Sequence, residues 1–467
     1  LFDLHPLVIL GIAVATVVGM IIVLRINAFV ALITAAIVVS LLAPGEWSDK
    51  INRVAVAFGR TAGGIGIIIA MAAIIGKCLI DSGAADRVVR MFMNILGEKR
   101  AAVSLMSSGF LLSVPVFFDT VFYLLLPLAR SMHRKTNRKY LLLILAMGAG
   151  GSITHSLVPP TPGPLIIAGE LKVDIGMMMM MGLAVAIPTA VLIMFFIKWL
   201  TTKIDIPMRP IEGSAPEPEP LSDDQLPGLF VSLLPIILPV ILISANTILA
   251  ALAKADGASQ GIVQAARLTA VVGNANLAML FSAAIALTVL YRQRKPTRTE
   301  MSRIVESSLM SGGVIILITA GGGAFGAMLK EAQIGPAIQN IFVGEGATHV
   351  VGLKLLFMGF AVACLLKFAQ GSSTVSMITT SAMMAALILD PDGAHLPIGF
   401  HPVYLAAAIG FGAQCGNWMN DSGFWIFAKM GGLTEVETLK TWTVTVSLIG
   451  VIGLAVTAVF AKFLPLV

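Results

Sequence analysis

Charged side chains are what this sequence has least of: they make up 12% of its 467 residues, against roughly 25% in ordinary soluble domains. Hydrophobic residues reach 57% and the mean hydropathy is +0.93. A soluble fold cannot hide that much apolar surface, because interiors stop growing and chains divide into domains instead. Cysteine is scarce too. Cys78, Cys364 and Cys415 stand far apart along the chain in apolar surroundings, an odd count without ligand spacing, which argues against a disulfide framework or a zinc site. No trio of nucleophile, base and orienting group can be picked out, so an enzyme has no support, and no cofactor or metal is expected. Leu1–Leu10 has neither a basic start nor a small-residue cleavage site, so no signal peptide is expected, and the missing initiator Met suggests a processed or trimmed start.

Long apolar stretches fill the space that charge leaves, among them Pro6–Leu24, Val231–Leu252 and Leu277–Leu290. The longer ones reach the roughly 20 residues a helix needs to cross a ~30 Å hydrocarbon core. Lipid requires every backbone polar group to be paired internally, which a helix achieves. The class is therefore an all-α integral membrane protein in a lipid bilayer. The net charge of +6 and the pI near 9.3 do not indicate nucleic acid. The basic residues lie instead in short loops beside apolar segments, and such loops face the cytoplasm. Four clusters mark that face: Arg87, Arg90, Lys99 and Arg100; Arg130, Arg134, Lys135, Arg138 and Lys139; Lys198, Lys203 and Arg209; and Arg292, Arg294, Lys295, Arg298 and Arg303.

The first two clusters bracket residues 101–129, which must leave and return on one side. Two helical limbs of that length reach roughly 20 Å each, too short to cross. A Pro and a polar stop in Ser113-Val-Pro-Val-Phe-Phe-Asp119 mark the turn, so the segment reads as a re-entrant hairpin entered from the cytoplasm. Residues 351–389 read alike, with a break at Ala369-Gln-Gly-Ser-Ser-Thr374, but their flanks Glu331–Val350 and Asp390–His401 contain no Lys or Arg. That hairpin is expected to enter from outside. A shift of 250 residues lays Gly63, Ile65, Ile68, Ala70, Gly76 and Leu79 on Gly313, Ile315, Ile318, Ala320, Gly326 and Leu329, with Asp81 on Glu331 and Phe118 on Phe368. Joined to the reversed charge flanks, this predicts an inverted-topology repeat of the kind secondary transporters use.

After each hairpin comes a second interruption. His155-Ser-Leu-Val-Pro-Pro-Thr-Pro-Gly-Pro164 cannot continue as helix, and Gly416-Asn-Trp-Met-Asn-Asp-Ser-Gly423 is its counterpart. Ten crossings plus two hairpins follow, with both termini external. Half-helix N-termini at such breaks present unpaired N–H groups and a positive dipole end, which suit an anion. The polar residues there are Asp119 and Thr120; Thr154, His155 and Thr161; Ser372, Ser373 and Thr374; and Asn417, Asn420, Asp421 and Ser422. Phe118, Gly163, Gln370 and Gly371 complete the substrate-binding set. The competing account is that these side chains only cap their own half-helices. Asp119, an acid in an apolar hairpin, is the first candidate proton carrier, with Asp421 second and His155 a candidate relay. Lys367 is placed to meet either a substrate carboxylate or a structural acid. Two other strings carry less weight. Gly321-Gly-Gly-Ala-Phe-Gly326 matches a dinucleotide pattern but has no preceding strand, so close helix packing explains it better. The run Met177–Met181 reads as lipid-facing or gap-filling bulk.

Pro115-Val-Phe-Phe-Asp119, His155–Pro164, Ala369–Val375, Asn420-Asp-Ser-Gly-Phe-Trp425 and Thr438-Leu-Lys-Thr-Trp-Thr443 resemble the signature segments of the gluconate permeases, and the resemblance spans nearly the whole chain. It implies a proton-coupled importer of gluconate or a related sugar acid or hydroxy acid in a bacterial inner membrane. It also implies a scaffold that carries a mobile, elevator-type transport domain, and a homodimer. The chain departs from the pattern at two predicted ligand contacts. Asp119 is followed by Thr-Val-Phe rather than Val-Gly-Phe, and Thr161 stands where such permeases tend to carry His. D-serine or a glycerate-like acid is the alternative substrate, and an ion channel or membrane enzyme the rival class. On this reading, scaffold helices occupy 1–85 and 228–345. The transport domain comprises 86–199 (hairpin 101–129, broken helix 141–175) and 346–467 (hairpin 351–389, broken helix 402–430). A cytoplasmic linker runs over 200–227, where Pro and acidic residues accumulate.

Overall fold

The computed structural model of the chain describes residues 4–24, 26–136, 138–209, 225–254, 258–333, 352–390, 393–419 and 421–466. Among them the chain is all helical, apart from one isolated antiparallel bridge between Leu389 and His395. In chain order the helices are α1 (Pro6–Val18, continued by a π turn over Gly19–Val23), α2 (Ala28–Leu42), α3 (Lys50–Asp81) and α4 (Ala84–Leu96). Then come α5 (Ala101–Leu112), α6 (Phe118–Thr136), α7 (Tyr140–Leu157), α8 (Pro162–Glu170) and α9 (Ile175–Lys203). The second half holds α10 (Leu229–Ala253), α11 (Gln260–Val272), α12 (Ala275–Arg294), α13 (Arg298–Glu331), α14 (Leu353–Gln370) and α15 (Ser373–Ile388). It closes with α16 (Val403–Gly412), α17 (Ser422–Gly431), α18 (Glu435–Thr438, with a π turn over Leu439–Thr443) and α19 (Val444–Phe463).

Local chemistry fixes many of these starts. Asn27, Asp174 and Asn274 accept from backbone N–H groups in the first turns of α2, α9 and α12 at 2.9, 2.9 and 3.0 Å. Thr297 with Glu300, and Thr434 with Glu437, form reciprocal capping boxes on α13 and α18. Among the described residues, seven helices are long and apolar enough to cross a membrane: α3, α7 taken with α8, α9, α10, α12, α13, and α18 taken with α19. The other three expected crossings are shorter or interrupted: α1, α2, and α16 with α17.

The order long helix, hairpin, interrupted helix, long helix occurs twice. The first hairpin is lopsided. Its entering limb α5 has 12 residues, roughly 18 Å, but α6 runs on past Ala129 to Thr136, carrying Arg130 and Arg134 beyond the apolar part. The second hairpin runs from Leu353 to Ile388, with its break at Gly371 and Ser372. The Pro-rich linker lies largely outside the described residues, as does the Glu331–Val350 flank beyond Gln333.

The two long helices matched by the 250-residue shift, α3 and α13, pack side by side. Asp81 and Glu331 are their last residues. Contacts run in opposite senses along them: Gly323 faces Thr61, Gly312 faces Ala70 and Ala73, and Arg53 reaches Glu331 at 3.6 Å. The equivalent helices are therefore antiparallel. On the other side the two halves interlock. α8 packs on α15, α6 on α17 and α9 on α19, while Tyr140 donates to the Gly431 carbonyl at 3.0 Å. Within the glycine-rich string, a Cβ at Gly322 would overlap Ile378 of α15, and one at Gly326 would stand 2.6 Å from the Ala382 Cβ. Close packing is what those glycines serve.

Candidate substrate site

Both interruptions are as the prolines and glycines dictate. α7 stops at Leu157 and α8 starts at Pro162, a position where Pro loses no helical hydrogen bond. α16 stops at Gly412 and α17 starts at Ser422, with Gly416 at φ +74° and pressed so close to Phe368 that a Cβ would come within 2.8 Å of its ring. Gly371 turns between the hairpin limbs at φ +85°. Each hairpin has a phenylalanine beside its break held by a tryptophan. Phe118 stacks on Trp442 at 5.5 Å, and Phe368 stacks on Trp418 at 5.4 Å.

Three of the half-helix N-termini open onto one cavity of about 200 Å³. Phe117 brings the start of α6, Pro162 the start of α8, and Ser372, Thr374 and Val375 the start of α15, while His155 comes from the end of α7. Ala28 of α2 and Ile315 and Ile318 of α13 close the far wall. The His155 ring meets Phe117 edge-on at 6.4 Å, and its buried Nδ1 has no hydrogen-bond partner among the described residues. Helix N-termini, a hydroxyl-bearing rim and an unpartnered imidazole nitrogen form a setting for a small hydroxylated anion.

Charge gathers beside this cavity. Lys367 is fully buried. It forms an ion pair with Asp421 and donates to the Gly371 carbonyl at 2.5 Å. Asp421 also accepts from Asn417 Nδ2 at 2.9 Å and caps α17 through the Gly423 N–H at 2.6 Å. Asp119, half-buried in the first turn of α6, lies within the electrostatic reach of the same ammonium. One cation thus serves acids from both halves.

The predicted residues divide accordingly. His155, Ser372 and Thr374 line the cavity, whereas Phe118, Asp119, Gly371, Asn417 and Asp421 are not in its lining: Phe118 stacks on Trp442, and the others gather around the pair of Lys367 and Asp421. Ser372 also caps α15, accepting from Val375 N at 3.3 Å, so capping and a place on the cavity rim coincide there. Thr154 and Thr161 donate to the Gly150 and Val158 carbonyls, at 3.3 and 2.6 Å, which are local roles. Gly163 packs under Met377, and Ser373 is half-buried beside the rim. Thr120 lines a separate cavity of about 350 Å³ with Lys77, Ser307, Ser308 and Ser311, and Ser422 is exposed. Asn420 and the Gln370 side chain fall outside the described residues. Sequence reasoning did not place Pro162 in the lining or anticipate the far wall of Ala28, Ile315 and Ile318. It also passed over Gln414, whose amide binds Ser152 and Ser156 at 2.6 Å and ties the two interrupted helices together. A lone Gln between Ala413 and Cys415 was the available signal. Nor are the cysteines all apart in space, since the Cys364 and Cys415 side chains lie close enough to interact.

Residues 5–463 match the family model of the GntP family permeases. The chain belongs to that family. It is 28% identical over 462 residues to the gluconate permease of Bacillus licheniformis, covering 98% of this chain and 100% of that one. It is 30% identical over 449 residues to the Gnt-II system L-idonate transporter of Escherichia coli, covering 96% and 97%. The crystal structure of the Alcanivorax borkumensis YdaH transporter shares its fold, with a TM-score of 0.62 at 13% identity over 99% of this chain and 100% of that one. The chain is thus a membrane permease of the GntP family and not an enzyme.

Proposed function

We propose that the chain imports gluconate or a closely related sugar acid together with protons across a bacterial inner membrane. The observation that carries this is the cavity where the breaks of both halves meet, rimmed by His155, Ser372 and Thr374 and set against three helix N-termini. Relatives named for gluconate and L-idonate transport agree with its chemistry. A substrate carboxylate is held by the helix N-termini, and its hydroxyls by Ser372, Thr374 and His155. Asp119 is the proton carrier, because Asp421 is already committed to capping α17 and pairing with Lys367.

The two hairpins are re-entrant from opposite faces, as the antiparallel run of α3 and α13 supports. The body made of residues 86–199 and 346–467 moves elevator-fashion against a scaffold of 1–85 and 228–345, within a homodimer. Cavities string along α13 in support of this: Ser307–Ser311 at one, Ile315 and Ile318 at the substrate cavity, and Gly323–Lys330 at another. From 307 to 330 that path is roughly 35 Å, about a bilayer core. Equilibrium binding of labelled gluconate to purified protein tests the site. Ser372→Ala with Thr374→Ala should weaken it about tenfold, or about 1.4 kcal/mol. Stronger competition by D-serine or glycerate than by sugar acids assigns the shorter substrate, and undiminished binding in the double variant removes the site.

A further inference from the structure

The cavity at the far end of the α13 seam has about 410 Å³ and carries four ionisable side chains: Arg60 of α3, Glu170 at the end of α8, Lys172 just after it and Lys330 of α13. The rest of its wall is mainly Ala, Gly, Leu, Ile and Val, and α15 contributes only Ala382, Ala385 and Ala386, with Leu389 following it. Lys172 donates to the Gly393 carbonyl at 2.9 Å, which leaves two of its three N–H donors. Arg60 and Glu170 form no ion pair or hydrogen bond among the described residues, with each other included, so more than 4.0 Å separates their charged atoms. Opposite charges sharing an apolar cavity ordinarily close on one another, because leaving them apart forgoes attraction without recovering full hydration. Glu170 is instead held against the scaffold, its Oε2 3.1 Å from where a Cβ on Gly326 would stand. A solvated basic rim would account for the three cations. It does not account for a carboxylate turned toward a glycine seam.

We propose that this cavity is a second binding site for a hydroxylated carboxylate, in which Arg60 and Lys172 take the carboxylate and Glu170 accepts hydroxyl protons. The proposal rests on the transport reading above and adds a capture step to it. α8 joins the two sites, with Pro162 on the substrate cavity and Glu170 here, eight residues or roughly 12 Å apart. This end of the seam is the expected outer face, so an anion would rest here before passing inward. The cations raise its local concentration, and salt weakens that attraction.

Equilibrium binding of labelled gluconate to the full chain at low and high ionic strength decides it. Two sites per chain are expected, the weaker one lost at high salt and abolished by either Arg60→Gln or Glu170→Gln. The tight site should change by no more than about twofold in those variants, as for separated positions. Ser372→Ala with Thr374→Ala should do the reverse, and Lys172→Gln replaces any outer variant whose melting shows it unfolded. One site in the wild type, or a weak site untouched by the outer variants, overturns the proposal and leaves the transport reading standing. Absence of gluconate binding at both sites overturns the two together.

Discussion

The Lys367 ammonium, with no exposed surface, is paired with the Asp421 carboxylate across the gap between α14 and α17. This pair joins the second hairpin to the second interrupted helix, and Asp119 of the first hairpin lies within reach of the same charge. Removing one partner strands the other in a buried site. Asp421→Asn should therefore cost about 3–5 kcal/mol of stability. Adding Lys367→Met should recover part of that loss in a double-mutant cycle read by thermal melting. Additive losses would show that the two side chains do not act as a pair.

Asp119→Asn keeps the size of the side chain and removes its titration. A proton-driven importer needs one group whose protonation is linked to substrate occupancy. Exchange of labelled for unlabelled gluconate across proteoliposomes should survive in this variant, while uphill accumulation should fall to equilibration. Full proton-driven accumulation would move the proton-carrying role to Asp421 or His155.

The division into scaffold and moving body predicts that α15 slides along α13. A Cβ on residue 322 would stand 3.2 Å from that of Ile378, near disulfide range. In a background lacking Cys78, Cys364 and Cys415, Gly322→Cys with Ile378→Cys should stop transport on oxidation and regain it on reduction. Continued transport by the cross-linked protein would rule out sliding at this seam.

Opposed hairpins make a labelling prediction. In the same cysteine-free background, Ile95→Cys should react with an impermeant thiol reagent only from the cytoplasmic face, and Lys354→Cys only from the outer face. Reaction of both from one face would end the inverted arrangement.

The interruptions were readable because Pro162, Gly371 and Gly416 carry backbone constraints that leave a mark in sequence. The correspondence of α3 with α13 was readable through Gly63 and Gly313 in the 250-residue shift. The far wall of the cavity at the breaks was not, because Ile315 and Ile318 look like any other apolar helix residue until packing turns them toward a break. Arg60 and Glu170 were equally hidden: they are 110 positions apart, and only the approach of α8 to α3 brings them to one cavity. Ser372 shows why residue type alone could not separate capping from binding, since it both caps α15 and lines the cavity.

Uptake of labelled gluconate into proteoliposomes under an imposed pH gradient, acid outside, tests the central claim most directly. Saturable accumulation above the equilibrium level is expected, collapsing when a protonophore removes the gradient and falling sharply in Ser372→Ala with Thr374→Ala. Non-saturable entry, or accumulation indifferent to both the gradient and the double substitution, would contradict the account.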